Sequence, residues 1–81
     1  MSNTDEYARQ IETHIPGAQA TVEGGGGKFE ATVVTDEFEG KNMLARHRLV
    51  NNALKDRIQS GEIHALSIHG YTPAEWESKG A

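Results

Sequence analysis

The side chains of this 81-residue sequence best suited to bind a metal or carry a proton near neutrality are four histidines, His14, His47, His64 and His69. No cysteine accompanies them, so the chain has no disulfide framework, no thiol nucleophile and no thiolate metal site of its own. A soft metal would have to be held by imidazole, a borderline ligand fitting iron, or by thiolates that a partner brings. His64 lies in the apolar run Ile63-His64-Ala65-Leu66-Ser67-Ile68, where strand alternation puts it on the side of Leu66 and Ile68. It reads either as a metal ligand or, more plainly, as a partly buried histidine bonded to backbone. His47 falls on one helical stripe with Met43, Val50 and Leu54 and is expected to be a core histidine satisfied by a carbonyl or acid. His14 reads as a solvated helix end, and His69, two positions after Ser67, is a second and lesser metal candidate.

The basic residues suggest a different chemistry. Lys41, Arg46, Arg48, Lys55 and Arg57 place five of the eight Lys and Arg residues within 17 positions. Such a cluster can meet DNA phosphates or an acidic partner surface; the bland alternative is helix solvation, with salt bridges worth about 0 to 1 kcal/mol each. The net charge of −4 disfavours non-specific nucleic-acid binding, which depends on phosphate neutralisation, although a basic helix on an acidic body can still attract an anion. No aromatic residue interleaves with these bases to stack on single strands. Serines at 2, 60, 67 and 78 lie in no nucleophile elbow, and the acids are scattered. A chain this short buries a small core and leaves no room for a deep substrate cavity, so an enzyme is not expected.

These residues must be positioned by few elements. Asp5 to Ile15 carries Tyr7, Ala8, Ile11 and Ile15 at helical spacing, with Thr4 as the expected N-cap and Pro16-Gly17 as the stop. Ala18–Val22 and Phe29–Val34 read as the strands of a hairpin, joined by a flexible glycine-rich loop over residues 23–28. The glycines are not spaced as in a phosphate loop, and Lys28 leads into a strand rather than a helix. Phe38 is expected to anchor a turn on the core, and Gly40 to take a backbone conformation that other residues resist. The main helix should run from about Asn42 to Leu54 or beyond, with Ile58 extending its stripe to Ser60-Gly61. Ile63 to His69 is the third strand, apolar enough to be central or well covered. Thr72-Pro73-Ala74-Glu75 reads as a capping box opening a last helix, whose Trp76 should pack onto the body; residues 78–81 are expected to form a disordered tail. The order α-β-β-α-β-α predicts one α+β domain over 1–81, a small three-stranded mixed sheet with helices on one face. No run approaches the roughly 18 apolar residues that would span a bilayer, and the N-terminus is polar and acidic, so a cytoplasmic protein with no membrane contact is expected.

Four stretches, Phe38-Glu39-Gly40-Lys41, Ala45-Arg46-His47-Arg48-Leu49-Val50-Asn51, Ile63 to Ile68, and Tyr71-Thr72-Pro73-Ala74-Glu75-Trp76, resemble the BolA family in its order along the chain, closest to its short bacterial, IbaG-like members. The resemblance implies a class II KH-like fold. It implies one of two roles: an iron-sulfur trafficking and stress adaptor paired with a monothiol glutaredoxin, or a DNA-binding transcriptional regulator of stress and morphology genes acting through the helix-turn-helix-like segment 38–57. His64 falls on the family's cluster-ligand histidine, and Phe38, Gly40, Arg46 and Arg48 fall within the helix-turn-helix signature. The implied cofactor is a [2Fe-2S] cluster shared with glutaredoxin and glutathione, with none on the chain alone; homodimers are left open. The family's second ligand is normally a cysteine or histidine in the first hairpin loop, where this chain has only glycines and Lys28. A protonated ammonium has no lone pair for iron. His64 therefore stands alone, or His69 joins it, or docking is independent of the cluster.

Overall fold

The computed structural model describes residues 2–80 of the chain. Its elements are α1 (Asn3–His14), β1 (Gln19–Gly25), β2 (Lys28–Val34), a single 3-10 turn (Asp36–Phe38), α2 (Met43–Ala53), α3 (Lys55–Gln59), β3 (Ala65–Tyr71) and α4 (Pro73–Gly80). The sheet order is β1-β2-β3, antiparallel between β1 and β2 and parallel between β2 and β3. This is the α+β class with the three-stranded mixed sheet read from the sequence. Val22, Phe29, Ala31, Val33 and Ile68 alternate onto one face and bury there with Tyr7 and Ile11 of α1, Ile15 just after it, and Val50 and Leu54 of the α2 region. The long crossover from β2 to β3 is what a parallel pair requires.

Several boundaries differ from the sequence reading, each for a local reason. The N-cap of α1 is Ser2, whose hydroxyl accepts the Asp5 N–H; Thr4 lies inside the first turn, with its hydroxyl 2.9 Å from that of Ser2. The strands run on through Glu23–Gly25 and resume at Lys28, so the connection is Gly26-Gly27 alone and not a loop over 23–28. Both glycines have positive φ, 61° and 82°, the geometry of a two-residue type I′ hairpin, which lets the ladder close right up to the turn. Asn42 is the cap of α2, accepting the Ala45 N–H at 2.9 Å, and Leu54 (φ −111°, ψ 17°) breaks the helix before α3.

The apolar stripe of α2 buries its later turns only: Met43 and Leu44 are 67% and 58% exposed, because the first turn stands clear of the core that Val50, Ala53 and Leu54 fill. Strand β3 starts and ends two residues later than Ile63–His69 and occupies a sheet edge rather than a central or well-covered position. Its apolar residues serve one face only: Ile68 is buried, while Ala65 is exposed. Phe38 is fully buried and Gly40 has φ 73°, as expected. Residues 78–80 are the last turn of α4 rather than a disordered tail; Met1 and Ala81 lie outside the described residues. Trp76 does not pack onto the core. It stays 43% exposed, leaning on Tyr71 at a ring distance of 5.3 Å over the sheet's outer face.

Candidate functional site

The hairpin turn and the approach to β3 form one small assembly. Ile63 is buried in the core and its N–H donates to the Arg57 carbonyl at 3.2 Å; this pins the chain so that the next residue, His64, emerges at a bend beside Gly27. The Gly27 carbonyl accepts both the His64 N–H at 2.7 Å and the Ala65 N–H at 3.0 Å. The His64 ring lies on the bare Cα of Gly27: a Cβ built there would overlap His64 Cδ2 and come within 3.1 Å of Cγ. Glycine is thus needed at 27 twice, for its positive φ and for the close approach of the ring. His64 is exposed, and neither ring nitrogen has a hydrogen-bond partner among the described residues. An imidazole oriented from behind and unengaged in front is suited to entering the coordination sphere of a metal whose other ligands sit on another molecule.

The other candidates are elsewhere. His69 is on the opposite, outer face of the sheet, where its Nε2 lies 3.3 Å from Glu30 Oε2; the structure does not bring it to His64. Lys28 pairs with Ala65 in register, adjacent to His64 along the chain, and is exposed with no ion-pair partner among the described residues. No group of three or more His, Asp or Glu side chains among the described residues is close enough to hold a metal ion. The fit of the described residues to an iron-sulfur cluster is therefore partial: they bring one exposed imidazole and a shaped support to this corner of the fold. His47 departs from expectation. Its Nε2 is buried without a hydrogen-bond partner, since its stripe neighbours Val50 and Leu54 offer no side-chain acceptor.

At the far end of β3 the polar groups are saturated. Arg46 donates to the Lys41 carbonyl (2.9 Å), the Gly70 carbonyl (3.1 Å) and Glu75 (2.7 Å), with its guanidinium 5.6 Å from the centre of the Phe38 ring. Glu75 also completes a reciprocal capping box with Thr72, whose N–H it accepts at 2.9 Å and whose hydroxyl accepts the Glu75 N–H at 3.2 Å. The Arg46 hydrogen bond, followed by the Thr72 N–H, holds the Glu75 carboxyl below its ordinary range.

The family model described as BolA-like protein matches residues 6–75. The chain belongs to the BolA-like family. Among BolA-like relatives, a protein of Acinetobacter guillouiae described as an uncharacterized protein in the rpoN-murA intergenic region is 35% identical over 74 residues, covering 91% of this chain and 89% of the relative. The DNA-binding transcriptional regulator BolA of Vibrio cholerae is 51% identical over 49 residues, covering 60% of this chain; the match spans only 45% of that regulator's length. The structure of a BolA homologue from Coxiella burnetii superposes with a TM-score of 0.84 at 46% identity, covering 95% of this chain and 99% of the other.

Within the BolA-like segment 38–57, the five bases divide. Arg46 is spent as above. Arg57 donates to Gln10 (3.1 Å) and Glu62 (2.9 Å) and lies 5.4 Å from the centre of the Tyr7 ring; Glu62 is held low first by that Arg57 bond and then by Ser60. Lys41 caps the Glu37 carbonyl at 2.8 Å. Only Arg48 and Lys55 are exposed without a hydrogen-bond or ion-pair partner among the described residues. Sequence reasoning missed Gly27, counted there as one of a loop of glycines. Two strands separated by two glycines are the signal that would have found the turn, but not the ring resting on it.

Proposed function

We propose that this BolA-like chain is a non-enzymatic adaptor of the cytoplasm that docks on a monothiol glutaredoxin, with His64 completing a shared [2Fe-2S] cluster whose other ligands are the partner's cysteine and glutathione. The observation that carries this reading is the exposed His64 ring, with both nitrogens unengaged and its orientation fixed by Gly27. When bound, the cluster would supply iron whose potential rises as imidazole replaces thiolate. The chain's own part is positioning: the Gly27 carbonyl holds the backbone on either side of the His64–Ala65 peptide, and Ile63 anchors the segment in the core. The absence of a cysteine or histidine in the hairpin leaves one ligand from this side, so the shared cluster should be labile and readily passed on.

The test is visible absorption and circular dichroism of the co-expressed pair. His64→Ala should abolish or recast the spectrum, while His69→Ala should leave it unchanged; a spectrum indifferent to His64→Ala removes this histidine from the cluster. A second reading, a DNA-binding regulator, draws on the description of the Vibrio relative and on the unpartnered Arg48 and Lys55. It is the weaker one, because Arg46 and Arg57 are already committed inside the fold and a phosphate contact surface needs free bases. Charge removal at Arg48 and Lys55 separates the two, since it should leave the cluster spectrum intact.

A further inference from the structure

The outer face of the sheet is not used by the core, and its side chains stand in rows across the strands. One row carries Gln19, Val34 and Tyr71, the next Thr21, Thr32 and His69, and the third Glu23, Glu30 and Ser67. Glu23 and Glu30 are thus directly opposite each other, a like-charge pairing that antiparallel strands ordinarily avoid. No lysine or arginine among the described residues forms an ion pair with either. Among the described residues Glu30's one ionic neighbour is His69, and Lys28 lies one row further out with no bond to either acid. A groove of about 360 Å³ runs from this acidic pair, over Thr21, Thr32 and Val34, to the half-exposed indole of Trp76. It is lined by two carboxylates and an aromatic ring, with no lysine or arginine in its lining and with the His69 ring beside Glu30 at its edge. The neighbouring ring, Tyr71, already receives the Lys79 ammonium 5.6 Å from its centre, so this face accepts cations within the chain itself.

We propose that the groove binds an extended, arginine-bearing segment of a partner protein, with the guanidinium between Glu23 and Glu30 and an apolar side chain against Trp76 and Val34. Charge complementarity selects the cation: a groove lined by two acids and by no lysine or arginine repels a phosphate backbone and favours a guanidinium or ammonium. Geometry selects arginine, because opposed residues on paired strands hold their Cβ atoms about 4.5–5.5 Å apart, a span that a planar fork with several donors engages at once and a point-like ammonium does not. From the row of Val34 to the row of Glu30 is four residues, about 13 Å at 3.3 Å per residue. The two anchors on an extended ligand therefore lie four positions apart. This site lies on the face of the sheet away from the core, shares no residue with the His64 assembly, and stands or falls independently of it.

The experiment is a titration of the ¹⁵N-labelled full chain with two blocked Gly/Ser-rich peptides, one carrying leucine then arginine four positions later, the other in reversed order. One of them is expected to shift the amides of Thr21, Glu23, Glu30 and Thr32 and the Trp76 indole N–H. Its binding should weaken at least tenfold when the peptide arginine is replaced by glutamine, and likewise in the Glu23→Gln/Glu30→Gln variant. That variant should also unfold at a higher temperature, having lost a repulsion, which makes a folding artefact visible. No shift with either peptide at millimolar concentration, shifts centred on α2, or affinity unchanged by the double substitution would each overturn the proposal. Equal binding of a lysine peptide would overturn the choice of guanidinium.

Discussion

The two ends of β3 are built on opposite principles. At its start His64 is exposed, with neither ring nitrogen hydrogen-bonded among the described residues and a glycine for a seat. At its end the backbone is saturated: the Gly70 carbonyl takes Arg46, the Tyr71 carbonyl takes the Thr35 N–H at 3.0 Å, and Thr72 exchanges hydrogen bonds with Glu75. Both ends carry residues of the motifs by which the family resemblance was read. A signature residue is therefore not by itself a functional one; the difference lies in whether its polar atoms are already satisfied. Arg46 is a base whose charge the fold consumes, and His64 is a base the fold leaves available.

That contrast predicts that substitutions at the two ends separate stability from the role proposed for His64. Arg46→Ala removes hydrogen bonds from a mostly buried guanidinium (side chain 13% exposed) to two carbonyls and a carboxylate. It is expected to lower stability by about 2–3 kcal/mol, a fall in thermal midpoint of roughly 10–20 °C for a domain of this size. His64→Ala, made in parallel, should stay within about 0.5 kcal/mol of the parent. Equal losses from the two would erase the distinction. Gly27→Ala sharpens it: a residue with φ near 82° whose Cβ overlaps the imidazole should cost about 1–2 kcal/mol, read by chemical denaturation, and should shift the His64 ring resonances.

The smallest expected effect is in acid. The folded-state carboxyls of Glu75 and Glu62 lie below their ordinary 4.5. Their contribution to stability is thus complete above that pH and is lost as the pH falls through the lowered folded values. Because Arg46 is the leading cause for Glu75, a plot of midpoint against pH between 5 and 2 should be shallower for Arg46→Ala than for the parent.

The fold class was legible because its signals are local: the period of α1, the alternation of Phe29 to Val33, the capping box at Thr72, and the buried Phe38. What was not legible depends on neighbours distant in sequence. The stripe beginning at Met43 predicted burial, but the core ends before the first turn of α2. The apolar character of Ile63 to Ile68 suggested a central or well-covered strand, yet a single buried face at a sheet edge requires the same residues. The clustering of bases in 38–57 gave no hint that Arg46 meets Glu75 or that Arg57 meets Glu62 and Gln10, since such partnerships exist only once the chain has folded. His64 was placed by its motif; that it rests on Gly27 joins residues 37 positions apart.

The parallel pairing of β2 with β3 carries a kinetic corollary. The β1–β2 hairpin has a two-residue connection, a kind that can form within about 1–10 microseconds, whereas the β2–β3 pairing spans the whole crossover and is a non-local contact of the slow kind. The Gly27 carbonyl is ready early, but the two N–H groups it accepts arrive with β3. The seat of the imidazole is thus made by a contact between segments far apart in sequence, and it exists only where β3 is paired with β2.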